Sequence, residues 1–187
     1  MVDPLGQIGI DELYSFTLHE LVIPHFLPFM LHIVLIEPEI PQNTGNIARL
    51  CVATGSRLHL VGPLGFSIDD KGVRRAGMDY WQLLDLKIWA SFIDLQQKNP
   101  RGRFFYLSSK VKRPYWDASF QDGDFLIFGR ETKGLPGSLL SMNADSVLTI
   151  PMTTGTRSLN LATSAGIVLY EAIRQLGQIP LAGEGDS

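Results

Sequence analysis

Residues 31–55, LHIVLIEPEIPQNTGNIARLCVATG, contain a strand, a polar turn and a helix in succession, and this unit decides the fold. The first six residues are a short, continuous apolar run, which predicts a buried strand. A helix is predicted over residues 44–54, with Asn43 or Thr44 as its N-terminal cap. Gly55 stands where a left-handed residue commonly ends a helix.

The predicted helix separates an apolar face from a polar one. Ile47, Leu50, Cys51 and Thr54 share the face that should be buried. Because two residues rotate a helix by about 200°, Arg49 lies roughly opposite Ile47. Arg49 should therefore stay outside the core.

The remaining chain also alternates between strand-like and helix-like segments. Further strands are predicted at residues 57–61, 84–89, 103–107, 124–128 and 147–150, and further helices at 91–97, 135–142 and 158–176. The last helix is the clearest, with Ser158 able to cap it and Gly177 placed to end it. Such alternation predicts an α/β fold with a mainly parallel sheet flanked by helices on both faces.

Composition bounds the cellular setting and the partners. The 187 residues suit one domain, and the formal net charge of -3 argues against indiscriminate nucleic-acid binding without excluding a local basic patch. Cys51 is the single cysteine of the sequence, which excludes an internal disulfide and a cysteine-rich metal site. A reducing, cytoplasmic location is therefore expected.

The two ends of the chain are predicted to lie outside the domain. Residues 1–29 either form an extension, for example from a start codon assigned too early, or contain a short packing helix over residues 10–22. Acidic residues without a basic stretch argue against a secretory signal, and two prolines in the apolar part argue against a membrane span. One domain is predicted over residues 30–179, followed by a Gly-rich, acidic, flexible tail at 180–187.

Several familiar catalytic motifs are absent from the sequence. It contains no GxGxxG turn, no GxxxxGK[ST] loop, no GxSxG and no HExxH, which disfavours ordinary dinucleotide, P-loop, hydrolase and zinc-protease sites. His32 and His59 lie in predicted strands, and His19 and His25 lie in residues 1–29. Packing is a better interpretation of these histidines than catalysis.

Three polar stretches each join a predicted strand to a predicted helix. They are PQNTGNIAR at 41–49, FGRETKGLP at 128–136 and IPMTTGTRSLNLA at 150–162. Joints of this kind lie outside the carboxyl ends of the strands, where open α/β sheets bind ligands. We therefore expect one composite site and not three unrelated loops.

Each stretch carries groups suited to a ligand, although each also has a purely structural interpretation. Gly129 permits close backbone approach to a ligand, or simply a tight turn. Arg157 and Asn160 flank the start of the last helix, where an anion is favoured. Arg49 stays protonated and suits a phosphate or a developing alkoxide, whereas most exposed helical arginines are only solvated.

Two local basic clusters suggest a surface for RNA. The first contains Lys71, Arg74 and Arg75, and the second contains Lys110, Lys112 and Arg113, followed by Tyr115 and Trp116. Basic residues beside aromatic ones can hold phosphates and stack bases. A solvated face explains each cluster about as well when it is considered alone.

Together, these motifs resemble the SPOUT class of S-adenosylmethionine-dependent RNA methyltransferases, and within it the small enzymes that methylate the ribose 2′-oxygen of the tRNA wobble nucleotide. The resemblance covers residues 30–177. It is carried by LHIVLIEPEIPQNTGNIARLC, DDKGVRRAGMDYW, QDGDFLIFGRETKGLP and IPMTTGTRSLNLATSAGIVLYEAIRQLG. It implies a C-terminal trefoil knot, S-adenosylmethionine bound in the knot loops, a homodimer, and tRNA as the partner. Neither a metal nor a membrane is expected as a partner.

The resemblance also implies roles for individual residues. Cofactor contacts fall on Leu107, Gly129, Ile150 and Ser158. The catalytic set falls on Asn43, Arg49, Glu131 and Asn160. RNA contacts are expected of the basic residues Lys71, Arg74, Arg75, Lys110, Lys112, Arg130 and Arg157. Arg130 stands where many relatives have proline, and it could contact RNA or merely cover the pocket. Two alternatives stay open: the same chemistry on another RNA such as rRNA, and a catalytically silent RNA-binding protein.

Overall fold

The computed structural model describes residues 30–67 and 81–177. The predictions for residues 1–29 and for the tail at 180–187 lie outside the described residues. Lys71, Arg74 and Arg75 also lie outside them. Within the described part, no helix is long and apolar enough to cross a membrane.

Six strands and four helices alternate along the described chain. The strands are β1 His32–Ile36, β2 Arg57–Val61, β3 Leu86–Trp89, β4 Phe104–Leu107, β5 Phe125–Phe128 and β6 Val147–Leu148. The helices are α1 Pro41–Thr54, α2 Phe92–Lys98, α3 Gly137–Met142 and α4 Leu161–Leu176. Every strand and helix predicted in this part of the chain is therefore confirmed, with shifts of a few residues at the ends.

The strands form one sheet in the order β3-β2-β1-β5-β4-β6. All neighbouring pairs are parallel, which confirms the predicted mainly parallel sheet. Because parallel strands end at the same edge, the loops after β1, β4, β5 and β6 leave the sheet side by side. This arrangement brings the three polar stretches within reach of one another.

Alternate residues of the central strand β1 pack on opposite faces of the sheet. Ile33 joins the apolar cluster that contains Ile47 of α1 and Leu169 of α4, all fully buried. Val34 joins a second cluster, which contains Leu95 of α2 and part of α3. The helices therefore cover both faces, as predicted, and their burial supplies the main driving force for folding.

His32 and His59 are buried on neighbouring strands, with exposed fractions of 8% and 1%. His32 Nδ1 lies 3.0 Å from His59 Nε2, and the Trp89 indole N–H donates to His59 Nδ1 at 2.9 Å. The His32 ring also stacks on Phe125, with 4.1 Å between the ring centroids. For these two histidines the packing interpretation is confirmed.

The start of α1 differs from the prediction. The helix begins at Pro41, where proline's fixed φ and missing N–H suit the first turn, and no side chain caps it. Asn43 and Thr44 therefore lie inside the first turn, and neither is the cap. Gly55 ends the helix in the left-handed region with φ 63°, as predicted.

The start of α4 also differs from the prediction. The helix begins at Leu161, and its cap is Asn160, whose side-chain oxygen accepts from the Ala162 and Thr163 N–H groups. Asparagine is at least as good a cap as serine, and it stands one residue before the helical run. Ser158 is exposed and lies outside the helix.

Candidate active site

A cleft of about 450 Å³ opens at the carboxyl edge of the sheet, between the loops after β4, β5 and β6 and the starts of α1 and α4. Its volume lies within the range typical of small-molecule sites, ~300–1,000 Å³. The predicted site residues that line it are Asn43, Leu107, Lys110, Gly129, Arg130, Glu131, Ile150, Ser158 and Asn160. All four predicted cofactor positions therefore share one hollow, together with three of the four predicted catalytic residues.

Three predicted site residues are described but do not line the cleft. Arg49 is exposed on α1, as expected from its position opposite Ile47. Lys112 and Arg157 are also exposed and stand in loops beside the cleft. Arg49 is therefore the one member of its predicted catalytic set that does not line the cleft.

Position 129 requires glycine, because the backbone of residues 134 and 135 leaves no space for a side chain there. A Cβ added there would lie 2.3 Å from the Gly134 carbonyl carbon and 2.4 Å from the Leu135 nitrogen. The loop doubles back at this point, and the Gly134 N–H donates to the Arg130 carbonyl at 2.8 Å. The sequence suggested close approach to a ligand or a tight turn, and the structure shows the tight turn at the wall of the cleft.

Asn43 connects the three polar stretches. Its Nδ2 donates to Glu131 Oε1 at 3.0 Å, and its Oδ1 accepts from Asn160 Nδ2 at 2.8 Å. Because a carboxylate only accepts, these partners fix which way the Asn43 amide faces. Asn160 is fixed in turn, because its Oδ1 caps α4. The two amides are thus held rigidly at the cleft wall.

Glu131 holds the loop that leads into α1. Its carboxylate accepts from the backbone N–H groups of Glu39 at 2.8 Å and Ile40 at 3.2 Å, as well as from Asn43. Negative charge at the start of a helix is favourable, and α1 has no side-chain cap of its own. This geometry makes Glu131 a positioning residue for Asn43.

Two acidic residues of the site were missed by sequence reasoning. Glu39 accepts from Arg130 Nε and Nη2 at 2.9 and 2.7 Å, and Glu37 accepts from Arg130 Nη1 at 3.1 Å. Hydrogen bonds from Thr132 and then from Arg130 lower the pKa of the Glu39 carboxyl. The signal was the pair of glutamates in EPE directly after β1, at the same edge of the sheet as Arg130, which is the second residue after β5.

The two aromatic residues that follow the second basic cluster pack against each other. Tyr115 and Trp116 contact each other edge to face with 5.1 Å between ring centroids, and Trp116 is 52% exposed. Lys110 lines the cleft itself. Among residues 30–67 and 81–177, no group of three or more His, Cys, Asp or Glu side chains is suited to a metal ion.

A parallel α/β sheet with a rigid amide pair in a cleft at its carboxyl edge defines a protein that binds a small molecule between its loops. Residues 30–170 match the SpoU rRNA Methylase family, and the chain belongs to this family.

Individual relatives are similar over most of their length. The tRNA (cytidine(34)-2'-O)-methyltransferase of Saccharophagus degradans is 50% identical over 152 residues, which are 79% of this chain and 97% of that one. A solved structure described as "Structural insights into the 2-OH methylation of C/U34 on tRNA" is 45% identical, with a TM-score of 0.76 over 80% of this chain and 97% of that one. An AdoMet-bound rRNA methyltransferase from Sinorhizobium meliloti is 25% identical, with a TM-score of 0.70 over 80% of this chain and 57% of that one.

Proposed function

We propose that the chain is a tRNA 2′-O-methyltransferase, which transfers a methyl group from S-adenosylmethionine to the ribose 2′-hydroxyl of the wobble nucleotide. The observation that carries this proposal is the chain of hydrogen bonds from Glu131 through Asn43 to Asn160, at the wall of a cleft shared with all four expected cofactor positions. Relatives that are matched over 97% of their own length, and whose names refer to cytidine 34 or to C/U34 of tRNA, support the choice of substrate.

The residues of the cleft fit the cofactor. Leu107 and Ile150 offer apolar surface for an adenine ring, and the turn at Gly129 leaves the backbone at the wall. When bound, S-adenosylmethionine supplies a methyl group on a positively charged sulfur. Asn43 and Asn160 hold amide groups where a ribose hydroxyl can be aligned with that methyl, and such alignment supplies a large part of the rate.

Arg49 is proposed to orient the adjoining phosphate and to stabilise negative charge on the 2′-oxygen. Its place outside its own cleft lining suits a homodimer, in which α1 of one subunit reaches the substrate at the cleft of the other. Exposed apolar side chains near the cleft and on α4 support such an interface; they are Ile40, Met152, Leu159 and Tyr170. A C-terminal trefoil knot remains a prediction from the resemblance, and a cytoplasmic location remains a prediction from the single cysteine.

RNA contacts are proposed for the predicted basic residues around the cleft. Lys110, Lys112 and Arg157 are exposed and lie beside or in the cleft. Arg130 is already paired with Glu37 and Glu39, so an RNA phosphate must compete with two carboxylates for it.

The experiment is transfer of a labelled methyl group from S-adenosylmethionine to total tRNA from a strain that lacks the endogenous wobble methyltransferase. We expect label on tRNA, and nuclease mapping should place it on the ribose of nucleotide 34. Label only on rRNA would overturn the substrate. Absence of label together with no binding of S-adenosylhomocysteine in titration calorimetry would identify a silent RNA-binding protein.

Arg49→Ala tests the catalytic assignment. We expect a loss of about 100-fold or more in methyl transfer, because removing one donor to a developing oxyanion costs this much in other enzymes. Arg101→Ala is the matched control, since Arg101 is exposed before β4, at the opposite edge of the sheet. Full activity of the Arg49 variant would show that the assignment is wrong.

A further inference from the structure

Two loops at the mouth of the cleft are bonded together by consecutive residues. We name residues 37–40, which follow β1, the front loop, and residues 129–134, which follow β5, the cleft loop. Arg130, Glu131 and Thr132 of the cleft loop all bond to the front loop. The cleft loop contributes all six of its residues to the lining of the cleft.

The bonds are reciprocal. The Glu39 N–H donates to Glu131 Oε2 at 2.8 Å, while the Thr132 N–H and Oγ1 donate to Glu39 Oε2 at 3.1 and 2.7 Å. Each glutamate therefore satisfies a backbone donor of the opposite loop. A backbone group held by a carboxylate forms one of the stronger hydrogen bonds in proteins.

Three carboxylates meet where the two loops are bonded together, and Arg130 forms ion pairs with two of them. Glu37, Glu39 and Glu131 meet at the junction, and like charges at close range repel. The Arg130 guanidinium contacts Glu39 with two nitrogens and Glu37 with the third. Without this cation the two loops would separate more easily.

We propose that Glu39 and Arg130 are positioning residues that hold the cleft loop against the front loop and thereby set the affinity of the cleft for its cofactor. We call the hydrogen bonds that Glu39 accepts from Arg130 and Thr132 the clasp. The proposal rests on the proposed function only in taking the cleft as the S-adenosylmethionine site. The clasp keeps the cleft loop in the one arrangement that can bind. Breaking it allows open arrangements, and the apparent dissociation constant rises in inverse proportion to the competent fraction.

Such a role predicts a particular kinetic pattern. A saturating cofactor restores the closed arrangement, because it binds that arrangement better than the open ones. The KM for S-adenosylmethionine should therefore rise while kcat changes by less than about twofold. A residue that acts in the chemical step would lower kcat instead.

The experiment measures the dissociation constant of S-adenosylhomocysteine by titration calorimetry for Glu39→Ala, Arg130→Ala and the double variant. We expect a rise of about tenfold for each single variant, within the range of coupling between sites. The dissociation constant of the double variant should exceed that of either single variant by no more than about twofold, because both changes break the same clasp. Glu39→Gln, which keeps an acceptor for Thr132, should lie between Glu39→Ala and the wild type.

Asp85→Ala is the matched control. It breaks the Arg57–Asp85 ion pair, which lies at the amino ends of β2 and β3, away from the cleft. Its dissociation constant should equal that of the wild type. Thr132→Val removes one hydrogen-bond donor without changing the charge, and it replaces either charge variant that fails to fold. We expect it to raise the dissociation constant about threefold.

The outcomes separate the two proposals. If the wild type binds S-adenosylhomocysteine and the clasp variants bind it equally well, the clasp is overturned and the proposed function stands. If kcat falls while KM is unchanged, the clasp is also overturned. If the wild type does not bind S-adenosylhomocysteine, the proposed function itself fails.

Discussion

The buried pair His32 and His59 makes the stability of the fold depend on pH. Trp89 can only donate, so His59 must accept at Nδ1 and keep its proton on Nε2, which then donates to His32 Nδ1. Adding a proton to either ring sets two N–H groups against each other. Burial, with the neighbouring cations, lowers the pKa of His32 to about 4 and that of His59 to about 3.

The sign and size follow from these values. Both histidines have the ordinary pKa of 6.5 in the unfolded chain, so below that pH the unfolded chain binds more protons than the folded one. The contribution of the two histidines to the free energy of unfolding is therefore complete above pH 6.5, and it is lost as the pH drops toward 4 and 3. When the pH is lowered from about 8 to 5, each histidine should reduce the free energy of unfolding by about 2 kcal/mol, and the pair by about 4 kcal/mol. That is a large share of the ~5–15 kcal/mol of an ordinary domain.

Urea unfolding followed by far-ultraviolet circular dichroism measures this dependence. His32→Asn keeps an acceptor for His59 but does not titrate, so it should lose about half of the pH-dependent part, ~2 kcal/mol. The difference between wild type and variant cancels the carboxyl groups, which titrate equally in both. A wild-type free energy of unfolding that is flat from pH 8 to 5, or an unchanged slope in the variant, would refute the reasoning.

Three further predictions concern the cleft and the core. Gly129→Ala should abolish S-adenosylhomocysteine binding in calorimetry, because its Cβ would overlap the backbone of residues 134 and 135, whereas Gly137→Ala, with nothing within 4 Å, should bind normally. Asn160→Asp keeps the cap of α4 but loses the donor to Asn43, so methyl transfer should fall more than tenfold with little change in melting temperature. Asn160→Ala loses the cap as well, so the free energy of unfolding in urea should also fall by about 1 kcal/mol. Leu169→Ala should lower the free energy of unfolding by about 2–5 kcal/mol, and Met142→Ala, which is 83% exposed, by less than about 0.5 kcal/mol. Equal effects within either matched pair would contradict the corresponding geometry.

The fold was predictable because its signals are local. The run LHIVLI, the glycine after α1 and the apolar face of α4 each report burial or a turn within a few residues. The errors were local too. Both concern helix caps: Asn43 was a cap candidate for α1 but caps nothing, and Asn160 caps α4, where Ser158 was the predicted cap. Chemical type alone does not decide between neighbouring cap candidates.

The location of the site could be predicted from the sequence, but the hydrogen bonds within it could not. Leu107, Gly129 and Ile150 share a cleft because parallel strands end at one edge, and this follows from the alternation of strands and helices. The pairing of Glu39 with Arg130 and Thr132 depends on the path of two loops that no short-range pattern specifies. Arg49 was correctly predicted to be exposed, but its absence from the cleft lining depends on the packing of α1 and not on a local pattern.

The bonds of Asn43 have a consequence for synthesis of the protein on the ribosome. Asn43 meets Glu131 and Asn160, which are 88 and 117 positions later in the chain. A nascent chain therefore carries no competent cleft until residue 160 has left the exit tunnel and α4 has formed. Contacts of such long sequence separation form late and slowly in folding. On the proposed function, the unfinished polypeptide, which emerges beside many RNA molecules, should consequently be unable to methylate any of them.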